Sequence, residues 1–595
     1  MKNFVVLDCE VYPNYFLAAF KNIDNGNVIT IESRGADKSL TPEATKKLRS
    51  IMHKRTTFGF NSNKYDMPII LFALKGKTCR EIHKLSDFII GENSAPWMTL
   101  KRFDLIQPSA MSHFDISDPA PGVMVSLKLY GGRLNSKRLQ DLPISPGTML
   151  SEQEMDETLD YCINDLNTTI DLYRKVEDRI QLRYDMSKQY DQDLRSKSDA
   201  QIAEVVIKSV LTKKFPNKRI KRPVIKSSTT FKYDIPSYIK FEGKQLKDAL
   251  EVIRHHEFEL DGKGSIKLPK ELKSMKIELG ESKYQLGIGG IHSTEKKQAI
   301  ISLEDQILCD RDVASYYPAI ILNLKLYPKH LGPAFLDIYQ DIVDERLKAK
   351  KSGNTLVNQS LKIVINGSFG KLGSKWSILY SPDLMMAVTI TGQLALLMLI
   401  ERLENAGISV ISANTDGFVS IMDKSLYETY DDICFQWELD TAFELEETRY
   451  KALYSRDINN YVAITEYGAK GKGIFNINQI AKNPAAAICI QSVMDYLTKG
   501  ADIEATIRDC KDITQFLTVR SVTGGAIWRD QYLGRVVRWI YSTDGEKITY
   551  KKNGNKVPKS DGSRPVMELD GMVDDIDYDR YIQEAYDILK DIGHE

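Results

Sequence analysis

The stretch GISVISANTDGFVSIM, residues 407–422, constrains the fold of this chain more than any other segment. Two apolar runs, 408–411 and 418–422, flank the sequence Asn414-Thr415-Asp416-Gly417. A short turn rich in Asn, Asp and Gly between β-type apolar runs is typical of a β-hairpin. The sequence therefore predicts two paired strands with Asp416 at their turn. Such a turn is often only a turn, so a chemical role for Asp416 requires a second carboxylate nearby.

The second carboxylate is expected in ILCDRDVASYYPAIIL, residues 307–322. An apolar run there leads to Asp310 and Asp312, and a Ser-Tyr-Tyr-Pro turn follows. Carboxylates at the end of a buried strand are costly unless water or a cation stabilises them. Two of them side by side repel each other, and Mg²⁺ relieves that repulsion. Paired Mg²⁺ ions are the usual device for displacement at phosphorus, so we predict phosphoryl-transfer chemistry at this point.

A helical hairpin is predicted between these two segments. Residues 335–351 and 355–369 show helical periodicity and are joined by Ser-Gly-Asn, which indicates an αα-hairpin. Arg346 and Lys350 share one face of the first helix, and Lys362 and Asn366 share one face of the second. Either helix alone is explained as an exposed basic helix. Two helices that direct cations at one site suit a triphosphate, whose leaving group needs charge neutralisation.

These three segments resemble the motifs of one enzyme family. DVASYYPAI resembles motif A (D-x-x-S-L-Y-P-S) of family B DNA polymerases, KIVINGSFG resembles motif B (K-x-x-x-N-S-x-Y-G), and ANTDGF resembles motif C (Y-x-D-T-D). Asn414 stands where motif C usually has its first aspartate, so the resemblance implies that Asp312 and Asp416 suffice as metal ligands. Asp310 either compensates or forms a salt bridge with Arg311 or another basic neighbour.

The resemblance implies a phage or mobile-element DNA polymerase with a right-hand fold of palm, fingers and thumb. Its implied partners are primer–template DNA and deoxynucleoside triphosphates, and its cofactor is Mg²⁺, two ions per active site, with Mn²⁺ as a substitute. Tyr317 would stack under the deoxyribose and exclude a 2′-hydroxyl. The other implied residues are Val313 at the metals; Arg346, Lys350, Lys362, Asn366, Ser315 and Tyr316 at the nucleotide; and Gly289, Gly290 and Tyr461 at the DNA.

Two of these DNA-binding assignments rest on incomplete motifs. Gly289 and Gly290 match the end of a Y-x-G-G motif in which Gly287 replaces the tyrosine. Tyr461 matches a K-x-Y motif in which Asn459 replaces the lysine.

A separate acidic cluster is predicted near the N-terminus. LDCEVY places Asp8 and Glu10 two apart on a strand and hence on one face. GFNSNKYDMPII contains Asn61, Tyr65 and Asp66, and YCINDLNTT contains Tyr161 and Asp165. Each fragment alone is explained as a surface feature. Together they resemble the D-x-E, N-x-x-x-Y-D and Y-x-x-x-D signatures of DEDD-type 3′–5′ exonucleases with tyrosine.

That second resemblance implies a further two-metal site. Its ligands would be Asp8, Glu10, Asp66 and Asp165, while Tyr161 would orient the attacking water and Asn61 and Tyr65 would contact DNA. No acidic position of the signature is missing, so this domain is interpreted as active.

Composition limits the alternatives. Lys+Arg and Asp+Glu both total 81 in 595 residues, so net charge gives no hint of a polyanionic partner, although a neutral chain can still carry basic grooves beside acidic metal sites. Seven scattered cysteines without a C-x-x-C pair argue against a disulfide framework or a zinc site and fit a reducing cytosol. The N-terminus turns acidic within eight residues, unlike a signal peptide. The apolar helix ITGQLALLMLIERL is expected to be too short and too interrupted to span a bilayer. We expect a monomer without membrane contact, located in the cytoplasm, or in the host cytoplasm if phage-encoded.

Two further segments leave alternatives open. Residues 208–226 hold eight basic side chains and no acid, which indicates either a solvated face or a binding surface. AIWRDQYLGRVVRWIY, residues 526–541, interleaves aromatic residues with arginines. That pattern indicates either a DNA contact in a thumb region, with bases on the aromatic rings and phosphates on the arginines, or a β-sheet packed on one face.

The predicted fold class is mixed α/β and α+β, multidomain, with a ribonuclease H-like exonuclease domain followed by a right-hand polymerase. The expected domains are residues 1–190 (exonuclease), 191–334 (linker and first palm part), 335–375 (fingers), 376–480 (second palm part) and 481–595 (thumb). The predicted function is a template-directed DNA polymerase with proofreading; the alternative is a DNA-binding exonuclease with a decayed polymerase half. Asp312 and Lys362 are only 50 residues apart, too close for the insertions of protein-primed relatives, so we expect a nucleic-acid primer.

Overall fold

The structure is a computed structural model that describes residues 4–93, 95–122, 124–217, 219–287, 289–477 and 480–594. The chain divides into two compact units. Unit 1 comprises residues 1–198, 478–488 and 507–581, and unit 2 comprises residues 199–477, 489–506 and 582–595. Both units combine helices with β-sheets.

The helices and strands follow in chain order. The first part contains β1 Phe4–Tyr12, β2 Tyr15–Asn22, β3 Val28–Arg34, α1 Pro42–Lys54, β4 Thr56–Gly59, α2 Asp66–Ala73, α3 Cys79–Glu92, α4 Pro96–Arg102, β5 His113–Asp115, α5 Leu127–Arg133 and α6 Glu152–Tyr190. The middle part contains α7 Asp199–Lys214, β6 Thr230–Phe231, α8 Lys244–His255, β7 Phe258–Glu259, α9 Lys270–Ser274, β8 Ile277–Leu279, β9 Ser282–Gln285, β10 His292–Ser293, β11 Gln298–Ile301, β12 Gln306–Val313, α10 Tyr316–Asn323, α11 Ala334–Lys351, α12 Thr355–Leu372, α13 Pro382–Asn405, β13 Ser409–Asn414, β14 Gly417–Asp423, α14 Tyr427–Thr441, β15 Leu445–Tyr450, β16 Ala452–Asp457, β17 Asn460–Thr465 and β18 Gly468–Lys472. The last part contains α15 Ala487–Lys499, α16 Ile503–Arg508, β19 Thr518–Trp528, β20 Gln531–Glu546, β21 Thr549–Tyr550, β22 Ser563–Pro565 and α17 Tyr578–Asp591.

The first sheet of unit 1 has the strand order β3-β2-β1-β4-β5. β1, β2 and β3 are antiparallel, while β4 runs parallel to β1 and β5 parallel to β4. Because side chains alternate along a strand, β1 supplies two cores. Val5, Leu7 and Cys9 pack with residues of α1, α2 and α3, whereas Val6 and Tyr12 pack with residues of α6. Asp8 and Glu10 share the face of β1 that is directed towards α6.

The long helix α6 begins where the sequence supplies a capping box. The Ser151 side chain accepts a hydrogen bond from the Glu154 backbone, and the Glu154 side chain accepts one from the Ser151 backbone. This reciprocal pair satisfies two of the otherwise unpaired donors at a helix start. The helix then runs for 39 residues and buries one face. It carries both Tyr161 and Asp165 on buried turns.

The second sheet of unit 1 contains most of residues 526–541. Its strand order is β21-β19-β20-β22. Trp539, Tyr541 and Arg538 are all buried in it, so they are not available to bases or phosphates. Arg529 pairs with Glu546 and Asp544. Trp539 packs in a hydrophobic core with Val522 and Val537, which supports the packed-sheet alternative for the buried residues. Tyr532 and Arg535 of the same segment are exposed, so a DNA contact by them stays a prediction.

Arg538 → Met is expected to destabilise unit 1. The buried guanidinium donates to the backbone carbonyls of Val566 (2.7 Å), Ser136 (2.9 Å) and Met567 (3.2 Å). The Met567 carbonyl also accepts from Leu139 N at 2.8 Å, so the loss falls on the Val566 and Ser136 carbonyls. Each carbonyl left buried without a donor costs about 1–3 kcal/mol. Thermal unfolding should show a melting temperature lowered by several degrees, whereas Arg535 → Met, an exposed arginine on the same strand, should leave it unchanged. Equal melting temperatures for both variants would contradict this role.

The main sheet of unit 2 has the order β15-β12-β14-β13-β10-β9-β8. The predicted hairpin of residues 407–422 is confirmed as β13 and β14, and the predicted strand that ends near Asp312 is confirmed as β12. β12 lies between β14 and β15 and is antiparallel to both. This register places Asp312 opposite Gly417 on one side and Glu446 on the other.

The predicted αα-hairpin is confirmed as α11 and α12. Asn354, the last residue of the connecting Ser-Gly-Asn, caps α12 by accepting a hydrogen bond from Val357 N at 3.2 Å. Gly367 lets α12 approach α7 closely, because a Cβ at this position would lie 2.8 Å from the Ala203 Cβ. α12 is thus held on one side by α7, whose last turns contain the start of the basic segment 208–226.

The most apolar helix is longer than the sequence predicted. The segment ITGQLALLMLIERL lies within α13, which has 24 residues and is long and apolar enough to cross a membrane by length and composition. The expectation that it is too short and too interrupted was therefore wrong. However, 83% of its most apolar window is buried inside the protein. Contacts such as that of Trp437 Nε1, which donates to Ala395 O at 2.8 Å, place it in a protein core, and burial accounts for its composition.

Candidate active sites

Asp312 and Asp416 meet at the end of a strand pair in unit 2. Asp312 lies at the end of β12, opposite Gly417, the first residue of β14. Val313 N donates to Asp416 O at 2.7 Å. A side chain at Gly417 would collide with the Asp312 carboxylate, so glycine at this position leaves that carboxylate its place beside Asp416. Antiparallel pairing brings together two aspartates that are 104 residues apart in the sequence.

The pKa values of both carboxyl groups are raised in the folded protein. Burial, followed by the nearby charge of Asp312, raises the pKa of Asp416. Burial also raises the pKa of Asp312, and Lys470 and Lys472 partly offset this. A raised carboxyl pKa means that the ionised form is disfavoured in the folded protein. Oxygen-rich clusters of this kind are the donor sets that Mg²⁺ prefers, so the residues present fit a divalent cation.

Asn414 supports the turn that carries Asp416. Its backbone oxygen accepts from Asp416 N at 2.7 Å, and its side-chain Oδ1 accepts from Thr415 Oγ1 at 3.0 Å. Thr415 has a φ of +62°, a left-handed conformation that this turn requires. Gly290 lies against the turn, because a Cβ there would be 3.0 Å from Thr415 Oγ1. The predicted DNA-binding residue Gly290 is therefore adjacent to the carboxylate pair.

Asp310 is not paired with Arg311. Arg311 forms ion pairs with Asp431 (2.6 Å) and Glu447 (2.7 Å), while Asp310 Oδ2 accepts a hydrogen bond from Tyr450 at 2.5 Å. Burial and the charge of Asp312 raise the pKa of Asp310 to about 6. Asp310 also lines the same cavity as Asp312 and Asp416. Of the two alternatives, the arrangement disfavours the Arg311 salt bridge and leaves Asp310 as a nearby third carboxyl group.

The cavity beside these carboxylates has a volume of about 370 Å³. Tyr461, predicted at the DNA, forms part of its wall, as do Lys470 and Lys472. Burial and the charges of Asp310 and Asp312 raise the pKa of Tyr461 to about 12. The two lysines were missed from the sequence. Their signal was the alternation in GAKGKG, which places both side chains on one face of β18.

Tyr317 lies where the sequence places it, at the start of α10. Its hydroxyl donates to Gly289 O, and its ring lies 4.3 Å from that of Phe369 on α12. The neighbouring Tyr316 is buried instead, and its hydroxyl donates to Gly392 O at 2.6 Å. Tyr317 therefore presents a ring that is fixed at both ends, whereas Tyr316 is a core residue with no free hydroxyl.

The predicted cations converge only in part. Arg346 Nη1 donates to Ser315 Oγ at 3.2 Å, and its buried Nε has no hydrogen-bond partner among the described residues. Lys350 Nζ lies 3.4 Å from Glu446 Oε1, next to Asp312 in the sheet. Lys362 and Asn366 are exposed on α12. The contacts place Arg346 and Lys350 beside the carboxylate pair, while Lys362 and Asn366 face solvent on the second helix of the hairpin.

A second carboxylate cluster lies in unit 1. Ligand atoms of Asp8, Glu10 and Cys162 all lie within 4.8 Å of one another. Burial and the charge of Asp165 raise the pKa of Asp8 to about 7. Burial, then Asp8, raises the pKa of Glu10. Burial likewise raises the pKa of Asp66, whose buried Oδ1 has no hydrogen-bond partner among the described residues. Carboxylate oxygens held in this way fit a divalent cation.

Lys128 is a member of this cluster that the sequence did not reveal. Its Nζ donates to Asp165 Oδ1 and lies 4.1 Å from the centre of the Tyr161 ring. Its charge lowers the pKa of Asp165, although burial outweighs this and the net direction is upward. No spacing rule connects Lys128 with the acidic residues, because it comes from α5 and reaches them only through helix packing. It is the one cation that these contacts place within the cluster, counting described residues only.

The predicted DNA-binding turn of unit 1 is held by another missed carboxylate. Asp115 accepts hydrogen bonds from Asn61 N (2.9 Å) and Asn63 N (3.0 Å). These bonds hold Asn61 in a left-handed conformation with φ of +57°. The Tyr65 hydroxyl is within 2.7 Å of Ser86 Oγ. The turn thus delivers Asp66 to the start of α2, beside β1.

Comparisons with known proteins add little beyond this geometry. No protein-family model matches the sequence, and no curated protein matches it. Among solved structures, the chain is similar to the family B DNA polymerase from the hyperthermophilic archaeon Pyrobaculum calidifontis, with 13% sequence identity and a TM-score of 0.41. The match covers 100% of this chain and 78% of that chain. Neither value is high enough to establish a shared function, which leaves the geometry of the two sites as the basis for an assignment.

Proposed function

We propose that this chain is a template-directed DNA polymerase that extends the 3′ end of a primer and carries a 3′–5′ exonuclease in its first unit. One observation carries the proposal: Asp312 and Asp416 converge on paired strands, and Arg346 and Lys350 of an adjacent helical hairpin lie next to them. Carboxylates with cations next to them suit the binding of a nucleoside triphosphate together with its metal ions. The ordered motifs that resemble those of family B DNA polymerases support the same assignment.

The residues of the polymerase site have separable roles. Asp312 and Asp416 would hold Mg²⁺, with Val313 at the same strand end, and the bound metal supplies Lewis-acid stabilisation of charge at phosphorus. Arg346, Lys350 and Lys362 would neutralise the triphosphate, with Asn366 and Ser315 beside them. Tyr317 would position the deoxyribose. In the same proposal the seven-stranded sheet is the palm and the hairpin α11–α12 the fingers.

The residues of unit 1 support an exonuclease. The strand order β3-β2-β1-β4-β5, with antiparallel and parallel parts, supports a ribonuclease H-like fold. Asp8, Glu10, Asp66 and Asp165 would hold Mg²⁺ or Mn²⁺, which activates water when bound. Tyr161 would orient that water, and Lys128 would hold Asp165 in place. Asn61 and Tyr65 would contact the single strand that is degraded.

Primer extension with Mg²⁺ and four deoxynucleotides tests the polymerase assignment. A primed template should give full-length product, and EDTA should abolish it. Circular single-stranded template without a primer should give none, because the predicted start of synthesis is a nucleic-acid 3′-hydroxyl. Asn414 in place of an aspartate favours the second candidate, an exonuclease with a decayed polymerase half. Degradation of DNA without any extension would establish that candidate and overturn the first.

Tyr317 → Ala is expected to admit ribonucleotides. The ring is fixed by the Gly289 carbonyl and Phe369, so its loss opens space for a 2′-hydroxyl. Discrimination between deoxy- and ribonucleotides, measured as the ratio of kcat/KM values, should fall on the order of 10²-fold. Tyr317 → Phe keeps the ring and should retain most of the discrimination. An unchanged ratio in the alanine variant would exclude this role for Tyr317.

A further inference from the structure

Trp376 is exposed, although the residues that follow it in the same connector are buried. It lies in residues 373–381, between α12 and α13, and 71% of the residue is exposed. Ile378, Leu379 and Tyr380 in the same connector are all buried. An indole buries about 150–250 Å² when it packs in a core, so the fold forgoes that stabilisation here. Most of the surface of Trp376 is therefore accessible to another molecule.

Two cations lie against the same indole. The Arg222 guanidinium carbon is 5.0 Å from the ring centre, and Lys375 Nζ is 5.5 Å from it. Neither forms an ion pair within the part of the chain that the structure describes. Arg219, Lys221 and Lys226 are exposed close to Arg222 in the sequence. Arg222 and Lys375 therefore give the indole a positively charged surrounding on a chain whose net charge is zero.

The connector that presents Trp376 is held by hydrogen bonds on both sides. Ile378 N donates to Glu204 Oε1 of α7 at 3.0 Å, and the Ile378 carbonyl lies 2.6 Å from His330 Nε2. Ser381 N donates to Leu372 O at 2.9 Å, which ties the connector to the end of α12. A binding surface that is ordered before its ligand arrives loses less entropy on binding. Trp376 is thus fixed in position rather than carried on a loose loop.

We propose that Trp376, Arg222 and Lys375 form a platform for single-stranded nucleic acid. One unpaired base stacks on the indole, and the two cations pair with the phosphates on either side of it. Aromatic faces flanked by lysine or arginine bind single strands in this way, because every base has a π-face and every linkage a negative charge. An acidic peptide would satisfy the cations but would leave the indole without a stacking partner.

The bound single-stranded nucleic acid can be assigned a role in the proposed polymerase, and that role rests on the proposed function. The connector continues directly from α12, the helix that carries Lys362 and Asn366. A single strand bound at the C-terminal end of α12 lies close to this helix, which is assigned to the incoming nucleotide. The single-stranded part of a primer–template is the unpaired template. The platform therefore holds template nucleotides that have not yet been copied.

Binding is tested without catalysis, in EDTA, with a fluorescein-labelled oligothymidylate of about 20 nucleotides and the full-length protein. Trp376 → Ala should weaken binding about tenfold, as expected for the loss of one stacked base, with the salt dependence unchanged. The double variant Arg222 → Gln, Lys375 → Gln should lower the slope of log K against log salt by about 1.4, or about 0.7 for each phosphate contact. A variant that failed to fold would lose affinity and salt dependence together, so it would not show these two separate effects.

Trp97 supplies the matched control. It is exposed to a similar degree, 65%, but lies in unit 1, and the nearby Arg102 stacks on Phe88 instead. Trp97 → Ala should retain the affinity for the oligonucleotide, and the quenching of tryptophan fluorescence on binding should be lost only in the Trp376 variant. Unchanged affinity of Trp376 → Ala would overturn the platform. Displacement of the oligonucleotide by polyglutamate only in wild-type protein would instead identify an acidic protein partner.

A second measurement separates this inference from the proposed function. On primed templates, Trp376 → Ala should slow extension when the 5′ overhang has about 12 nucleotides but not when it has one. Equal rates on both templates would overturn the template role. If wild-type protein extends no primer but the oligonucleotide results hold, the proposed polymerase function is wrong and the single-strand platform stands.

Discussion

Asp416 → Ala or Asp312 → Ala is expected to abolish primer extension and to leave the degradation of single-stranded DNA intact. The two carboxylates converge at the end of β12 and the start of β14, and either one alone leaves the proposed metal site with half of its main ligands. Loss of charge stabilisation in a phosphoryl-transfer transition state costs several kcal/mol, or about 10³-fold or more in rate. Single-turnover extension of a labelled primer measures this directly.

Stability provides a readout for the same variants that does not depend on activity. Because burial raises the pKa of both carboxyl groups, their ionised forms oppose folding at neutral pH when no cation is bound. Each alanine variant should therefore melt at the same temperature as the wild type or higher in EDTA. Mg²⁺ should raise the melting temperature of the wild type more than that of the variants, because a ligand stabilises only the state that binds it.

Asn414 → Ala is the matched control for the polymerase site. Among the described residues, its side chain forms hydrogen bonds only with Thr415 Oγ1 and, at 3.4 Å, with the Ile458 carbonyl, and the proposal assigns it no metal. Extension by this variant should remain within about tenfold of the wild-type rate, since the lost contacts are neutral hydrogen bonds. Near wild-type extension by Asp416 → Ala would show that the polymerase assignment is wrong.

The double variant Asp8 → Ala, Asp66 → Ala is expected to lose 3′–5′ degradation and to keep synthesis. Asp8 comes from β1 and Asp66 from α2, and both belong to unit 1, whereas Asp312 and Asp416 belong to unit 2. Removing two of four ligand carboxylates should lower the rate of degradation by about 10³-fold or more. Degradation of a 5′-labelled single strand in Mg²⁺, followed on a gel, measures it.

Asp160 → Ala is the control for the nuclease site. Asp160 lies on α6, as Asp165 does, but its carboxylate is exposed and pairs with Arg138 at 2.7 Å. An exposed ion pair contributes little to stability, so this variant should degrade DNA at the wild-type rate. If the double variant still degrades DNA as fast as the control, the nuclease site lies elsewhere in the chain.

Local patterns predicted the elements that carry both sites. The turn residues of Asn414-Thr415-Asp416-Gly417 predicted the β13–β14 hairpin, and helical periodicity with Ser-Gly-Asn predicted α11 and α12. These patterns succeed because turn chemistry and the periods of 2 and 3.6 residues are properties of neighbouring residues. The same reasoning placed Asp8 with Glu10 and Tyr161 with Asp165 on shared faces. The roles of these residues stay predictions until the variants are measured.

Local patterns failed where burial decided the outcome. Residues 526–541 show the same mixture of aromatic and basic residues whether they face DNA or a core, and the structure buries Trp539 and Arg538. Arg538 is tolerated there only because backbone carbonyls of residues 136 and 566 accept its hydrogen bonds. The length of α13 was likewise underestimated, because the apolar pattern of a buried helix does not show where its ends lie.

The sequence by itself determined which residues are adjacent on each strand and helix, and the resemblance of its motifs predicted a chemistry for them that stays a proposal. Only the tertiary structure decided which distant residues meet: Lys128 with Asp165, Lys470 and Lys472 with Asp312, and Arg222 with Trp376. The physical reason is that such contacts depend on helix packing and strand order, which the whole core stabilises. No local sequence pattern identifies the distant residue that a charged or aromatic side chain will contact. The environment of such a side chain therefore becomes known only from the folded chain.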